Sequence, residues 1–297
     1  MNEIFEGLEE QLPKTDQALN ALKILAGTRT VEVELPILKT KVKVSPIDGA
    51  EDLILKTLKS SGATFIHSFN ELLFKHCKFD GIEFEGVKDF EDHLTPPDKQ
   101  LIVYALLNST FNKLPEKTIT CPHCKTSEVY SAPPEAMFHQ DTIQKVWDKV
   151  DFESYEIMSE VVPGLQVFYS MPTETDKLLL LESKTNGQMR EDILENDDVF
   201  NTLELFSVYI KKLIIKHENG DIVLTDKVNE IIPTINGMPL ELKAALLKDE
   251  TVSEFTEYAP KFYLNLTCDN RKCNRDFTWD EIDPEQDFFR KALSVYN

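Results

Sequence analysis

Four of the five cysteines stand in two short pairs, C-x2-C in "TITCPHCKTSEVY" and C-x4-C in "LNLTCDNRKCNRDF". Cys124 and Cys268 are 144 positions apart. If Cys121, Cys124, Cys268 and Cys273 meet at one point, everything between them must leave that point and return to it. Each pair follows an alternating segment, "KTIT" or "YLNLT", and precedes another, "SEVY" or "RDFTW". Alternation with period two marks strands. The pattern therefore predicts two β-hairpins, each with a knuckle at its tip, which is the layout of a zinc ribbon. Four thiolates suit Zn²⁺ in a tetrahedral site with metal–sulfur bonds of about 2.3 Å. A closed set of four ligands leaves no position for water or substrate, so the expected role of the metal is structural.

Other chemistry has to be weighed against this. C-P-H-C matches a redox motif in which a thiolate sits at a helix N-terminus. Here the residues after Cys124, "KTSEVYSAPP", are strand-like and broken by prolines. A disulfide is the alternative if the chain meets an oxidant. His123 lies between two of the cysteines and could replace one, although four thiols already suffice. Lys125, Arg271, Lys272 and Arg275 flank the pairs. A tetrathiolate around a dication carries a net charge of about −2, so these bases read as counter-charge ahead of a nucleic-acid patch.

The rest of the sequence narrows the function class. The 297 residues are 41% hydrophobic, enough for a packed core. There are 52 acidic against 32 basic side chains, a formal net charge of −20. That field opposes a phosphate backbone over any broad face, so nucleic acid is disfavoured as a partner. No apolar run approaches the roughly 18 residues of a membrane span. The acidic start "MNEIFEGLEEQLPKTDQ" lacks the apolar stretch of a secretory signal, so the cysteines are expected in a reducing compartment. His67, His76, His93, His139 and His217 are scattered, and Cys77 reads as a small buried residue on an apolar helix. With ten glycines and none of the phosphate-loop, dinucleotide or nucleophile-elbow motifs, the chain is not expected to be an enzyme.

Along the chain, residues 1–29 read as a charged arm with a short helix, "TDQALNALKILAG". Residues 30–116 read as a β-hairpin, "TVEVELPILKTKVKVSP", beside a helical bundle. Its helices are "AEDLILKTLKSSG", from about Asp48 to Gly62, "TFIHSFNELLFKHC", and "TPPDKQLIVYALLNSTF" with Thr95 as cap. Residues 117–131 and 260–289 form the split ribbon. Residues 132–259 form a mostly helical insert. It opens with two strand-like runs about Pro163-Gly164 and includes a long helix across "EDILENDDVFNTLELFSVYIKKLIIKHENG". Residues 290–297 form a tail. The fold class is α+β.

The order of these parts resembles the T4-type bacteriophage baseplate hub proteins. The opening "VEVELPILKTKVKVSPIDGAEDLILKTLKS" is similar to that family's strand, Leu-Pro, strand, Pro, helix start. A helix pair, a long helix and a C-x-x-C knuckle follow here as "TFIHSFNELLFKHC", "LTPPDKQLIVYALLNSTF" and "CPHC". Longer members add a helical insert and close on a second knuckle and a double Phe, here "CDNRKCNRDFTWDEIDPEQDFF" with Phe288 and Phe289. The resemblance implies a structural component of a contractile tail, located in the virion at the baseplate after assembly in the host cytoplasm. Its partners would be other hub subunits or the tape-measure protein. A tail-assembly chaperone absent from the mature particle is one alternative function, and a zinc-ribbon nucleic-acid-binding module is another. Two contact surfaces are expected, the arm before Thr30 and "DFFRKALSVYN", with Phe288 and Phe289 themselves packed on the ribbon.

Overall fold

The computed structural model describes residues 30–47, 57, 60, 62–137, 156–185, 207–217, 220–256 and 259–296. The arm 1–29, nearly all of the helix expected from Asp48 to Gly62, His139 and the first half of the long helix expected over 191–220 lie outside them. The fold is mixed α/β with small antiparallel sheets.

The first hairpin forms as its alternation dictates. Strands β1 (Val31–Leu35) and β2 (Thr40–Val44) pair with Glu32 opposite Lys43 and Glu34 opposite Lys41. Val33, Leu35, Val42 and Val44 turn inward. Glu32 lies 3.8 Å from Lys41 and 3.7 Å from Lys43 on the wet face. Helix α1 (Gly62–His76) runs directly into a third strand, β3 (Cys77–Phe79), which pairs with β2. This corrects the expectation of a buried helical residue for Cys77: it is half-buried and opens a strand. The helix ends because Ser45 N–H takes the His76 carbonyl at 2.9 Å, which draws the next residues alongside β2.

Helices α2 (Val87–His93) and α3 (Pro96–Thr110) follow. Thr95 occupies the cap position of α3, with Pro at the helix start. The stripe Leu101, Ile102, Ala105 and Leu106 is buried, and so are Val103, Tyr104 and Leu107 on the other faces. An all-round apolar helix belongs at the centre of a fold, and α3 lies there. Asp98 on its first turn accepts the Ile37 and Leu38 backbone N–H groups at 3.2 and 2.9 Å, fixing the β1–β2 turn to the helix.

The insert was expected to be mostly helical; its described residues carry a sheet beside the helices. Strands β6 (Glu156–Val162), β7 (Leu165–Ser170), β8 (Ile210–Ile215) and β9 (Ile222–Thr225) form an antiparallel meander in that order. The β6–β7 turn falls at Pro163-Gly164, with Gly164 at φ +88°. Helix α4 (Glu174–Thr185) precedes β8, and α5 (Val228–Gly237), α6 (Leu240–Leu247) and α7 (Thr251–Thr256) follow β9. The long helix expected over 191–220 is corrected in its described part, where Ile210–Ile215 is strand β8.

One hydrophobic cluster joins β1 and β2, α1, α3, β7, β8, α5 and the last helix, α8 (Pro284–Tyr296). Residues 290–296 of the expected tail are the second half of α8. Phe288 and Phe289 do not pack on the ribbon. Phe288 is fully buried against Phe69 and Phe111, each with ring centroids 5.9 Å away, and Phe289 sits 4.7 Å from Phe69 and 5.1 Å from Phe65.

Candidate metal centre

The segments flanking the cysteines are the expected strands. Strands β4 (Lys117–Thr120) and β5 (Ser127–Tyr130) form one hairpin, and β10 (Leu264–Thr267) and β11 (Asp276–Trp279) form the other. Buried Ile119 and Leu264 and the half-buried Tyr130, Leu266, Phe277 and Trp279 supply the apolar side of the hairpins. Tyr130 and Phe277 meet edge-to-face at 6.4 Å. Lys117 lies over the Trp279 ring at 4.8 Å and ion-pairs with buried Asp287 of α8 at 2.6 Å, so the ribbon is tied to the last helix.

Each knuckle is a tight backbone loop. In the first, Cys121 N–H donates to the Thr126 carbonyl and Lys125 N–H returns to the Cys121 carbonyl, both at 2.9 Å. In the second, Cys268 N–H donates to the Arg275 carbonyl at 3.0 Å, and Cys273 and Asn274 N–H groups converge on the Asn270 carbonyl. Closing these loops puts Lys125 at φ +62° and Asn274 at φ +43°. The knuckles touch through Asn270 Nδ2, which donates to Thr126 Oγ1 at 3.1 Å, and through Asp269 N–H, which donates to Glu128 at 3.1 Å.

All four expected ligands come together. Their sulfurs lie within 4.8 Å of one another, with Cys121–Cys273 at 3.9 Å and Cys124–Cys268 at 3.6 Å. A tetrahedron with metal–sulfur bonds of about 2.3 Å has sulfur–sulfur edges of about 3.8 Å. A disulfide needs about 2.05 Å, and all four thiols are free. Cys121 and Cys268 are buried and Cys124 and Cys273 half-buried. The cluster can therefore hold a metal ion.

Electrostatics point the same way. Thr126, through its hydroxyl and its backbone, lowers the Cys124 thiol to about 6. Burial pushes Cys268 up to about 12 and raises Cys273 as well. Four crowded thiols cannot all ionise unaided, and a bound cation removes that obstacle. No helix begins at Cys124, which is succeeded by Lys125, Thr126 and strand β5, so the support that a redox thiolate requires is missing from this knuckle. His123 is not one of the four grouped ligands, and its Nε2 lies 3.3 Å from the Asp276 carbonyl oxygen. His67 pairs with Glu91 at 2.9 Å, and His93 lies 3.4 Å from Asp89, at separate places in the fold.

Thr126 and Asn270 were not singled out in the sequence. Their only signal there is a small polar residue two positions after a cysteine in each knuckle. Comparison with family models, with characterised proteins and with solved structures finds no match for this chain.

Proposed function

We infer that the chain is a zinc-stapled structural protein that works through protein–protein contacts, and that its place is the baseplate hub of a contractile phage tail. The four-thiol cluster carries the first half of this reading. Four cysteines at tetrahedral spacing favour zinc among the biological cations, and a closed shell fits a staple and not a reaction centre. The cluster closes a long excursion: the first knuckle ends at Cys124, the insert follows, and the second begins at Cys268. The tail assignment draws its support from the sequence order of hairpin, helix pair, long helix, knuckle, insert, knuckle and Phe-Phe. Other hub subunits or the tape-measure protein would be the partners.

Metal analysis of the purified chain tests the staple, with one zinc per chain expected. A chain without zinc, together with full folding of a Cys121→Ser, Cys268→Ser double variant, overturns it. Mass spectrometry of purified phage particles tests the placement. Peptides of this chain at a fixed stoichiometry support a component. Their presence in infected-cell lysate but not in particles makes it an assembly chaperone instead.

A further inference from the structure

We propose that the tips of the two knuckles form a docking site for an acidic polypeptide segment of a partner protein. This inference uses the closed knuckles but not the phage-tail assignment. Lys125 belongs to the first knuckle, and Arg271, Lys272 and Arg275 to the second. All four are exposed. The hydrogen bond between Asn270 and Thr126 brings the loops into contact, with Lys125 and Arg271 directly flanking it. Among the described residues, none of the four makes an ion pair. The side-chain contacts to sulfur come from Thr126 and Asn270, and Arg275 reaches Cys273 through its backbone N–H, not its guanidinium. Local acids are turned elsewhere: Glu128 accepts the Tyr130 hydroxyl and Asp269 N–H, and Asp276 accepts the Thr267 hydroxyl at 2.7 Å. Asp269 and Asp276 are the exposed acids among them.

Lys125 adds an independent observation. At φ +62° a side chain is strained and glycine is not. The turn alone would be better served by glycine, so a cation is held at this spot at a steric cost. Strain of that kind concentrates at functional positions.

The surroundings favour a polypeptide over a nucleic acid. The ribbon's rings, Tyr130, Phe277 and Trp279, are half-buried, Tyr130 meets Phe277 and Lys117 lies over Trp279, which leaves less ring surface for base stacking. Exposed Asp280, Glu281 and Asp283 follow β11 directly and oppose any long polyanion running past the tips, which limits the occupant to a short segment. A short run of Asp or Glu can reach four cations without crossing them, and arginine offers such carboxylates a two-pronged hydrogen bond.

The experiment is fluorescence anisotropy of a labelled octaglutamate peptide with the full zinc-loaded chain. At 0.1 M salt the screening length is about 10 Å, which mutes the distant negative charge. Binding is expected, weakening steeply as salt rises. Lys125→Gly with Arg271→Gln should weaken it roughly 3- to 10-fold while zinc content and melting temperature hold. Lys88→Gln with Lys248→Gln, the same charge change outside the ribbon, should leave it unchanged. No octaglutamate binding, or equal loss in both double variants, overturns the proposal. Tighter binding of a single-stranded oligonucleotide than of octaglutamate overturns it in favour of nucleic acid. Salt-sensitive self-association that vanishes in the knuckle variant overturns it in favour of a second copy of this chain.

Discussion

Glu174 is fully buried, yet it holds two lysines, Lys99 at 2.7 Å and Lys177 at 2.6 Å. Its backbone N–H also donates to the Leu94 carbonyl at 2.8 Å, so one residue joins the start of α4 to the α2–α3 connection. Removing one member of such a group leaves a buried charge unpaired. Glu174→Ala is therefore expected to cost about 3–5 kcal/mol in urea unfolding. Two buried carboxylates also give stability opposite slopes with pH. Burial opposes ionisation of Glu174, but Lys99 and Lys177 outweigh it and hold the carboxyl at about 2, below its ordinary 4.5. Stability from this group is complete above pH 4.5 and is lost as pH falls toward 2. Burial pushes Asp98 from 3.8 up to about 7 despite its two backbone donors. Between those values the folded chain holds the proton and the unfolded chain does not, so stability falls as pH rises through that window. Urea midpoints measured from pH 3 to 8 should show both slopes. Asp98→Asn should flatten the upper one and Glu174→Gln the lower.

At the scale of elements, α8 does the work that its position in the sequence concealed. Phe288 and Phe289 reach α1, and Phe288 also reaches the end of α3. Phe288→Ala is expected to cost about 3–5 kcal/mol in thermal or urea unfolding. Arg290→Ala, on the exposed side of the same helix, should stay within about 0.5 kcal/mol. Strands with clean alternation were legible in the sequence: β1, β2 and all four ribbon strands carry polar and apolar residues in turn, and so do the cysteines they frame. Strand β8 was not legible, and the reason is local. Ile210 and Leu213, three apart, read as one face of a helix. In the sheet Ile210 pairs with Tyr169, Lys212 with Phe168 and Leu213 with Val167, so the pairing shifts register at Lys211. That irregularity puts residues three apart on the same buried side of a strand. Strand β3 was missed because three residues give alternation too little length to register.

For the whole molecule, sequence order suggested separable parts, whereas the packing makes one core. The cluster that begins at Val33 continues through Leu107 and Leu213 to Ala292 without a break between the first hundred residues and the insert. The chain is accordingly expected to unfold in one transition, with calorimetric and van't Hoff enthalpies equal. Two resolved transitions would show that the insert has a core of its own. Side-chain contact across such distances has no signature in a single sequence: nothing near Lys99 announces Glu174, 75 positions later.

The separation of the two knuckles also sets a clock during synthesis. Cys124 leaves the ribosome 144 residues ahead of Cys268. At translation rates of about 5–20 residues per second, that is a wait of roughly 7–30 seconds. Throughout it the nascent chain can offer an ion only half a shell. Any product broken off before Cys273 keeps its first pair of thiols exposed, so a filled shell certifies that translation has passed that codon.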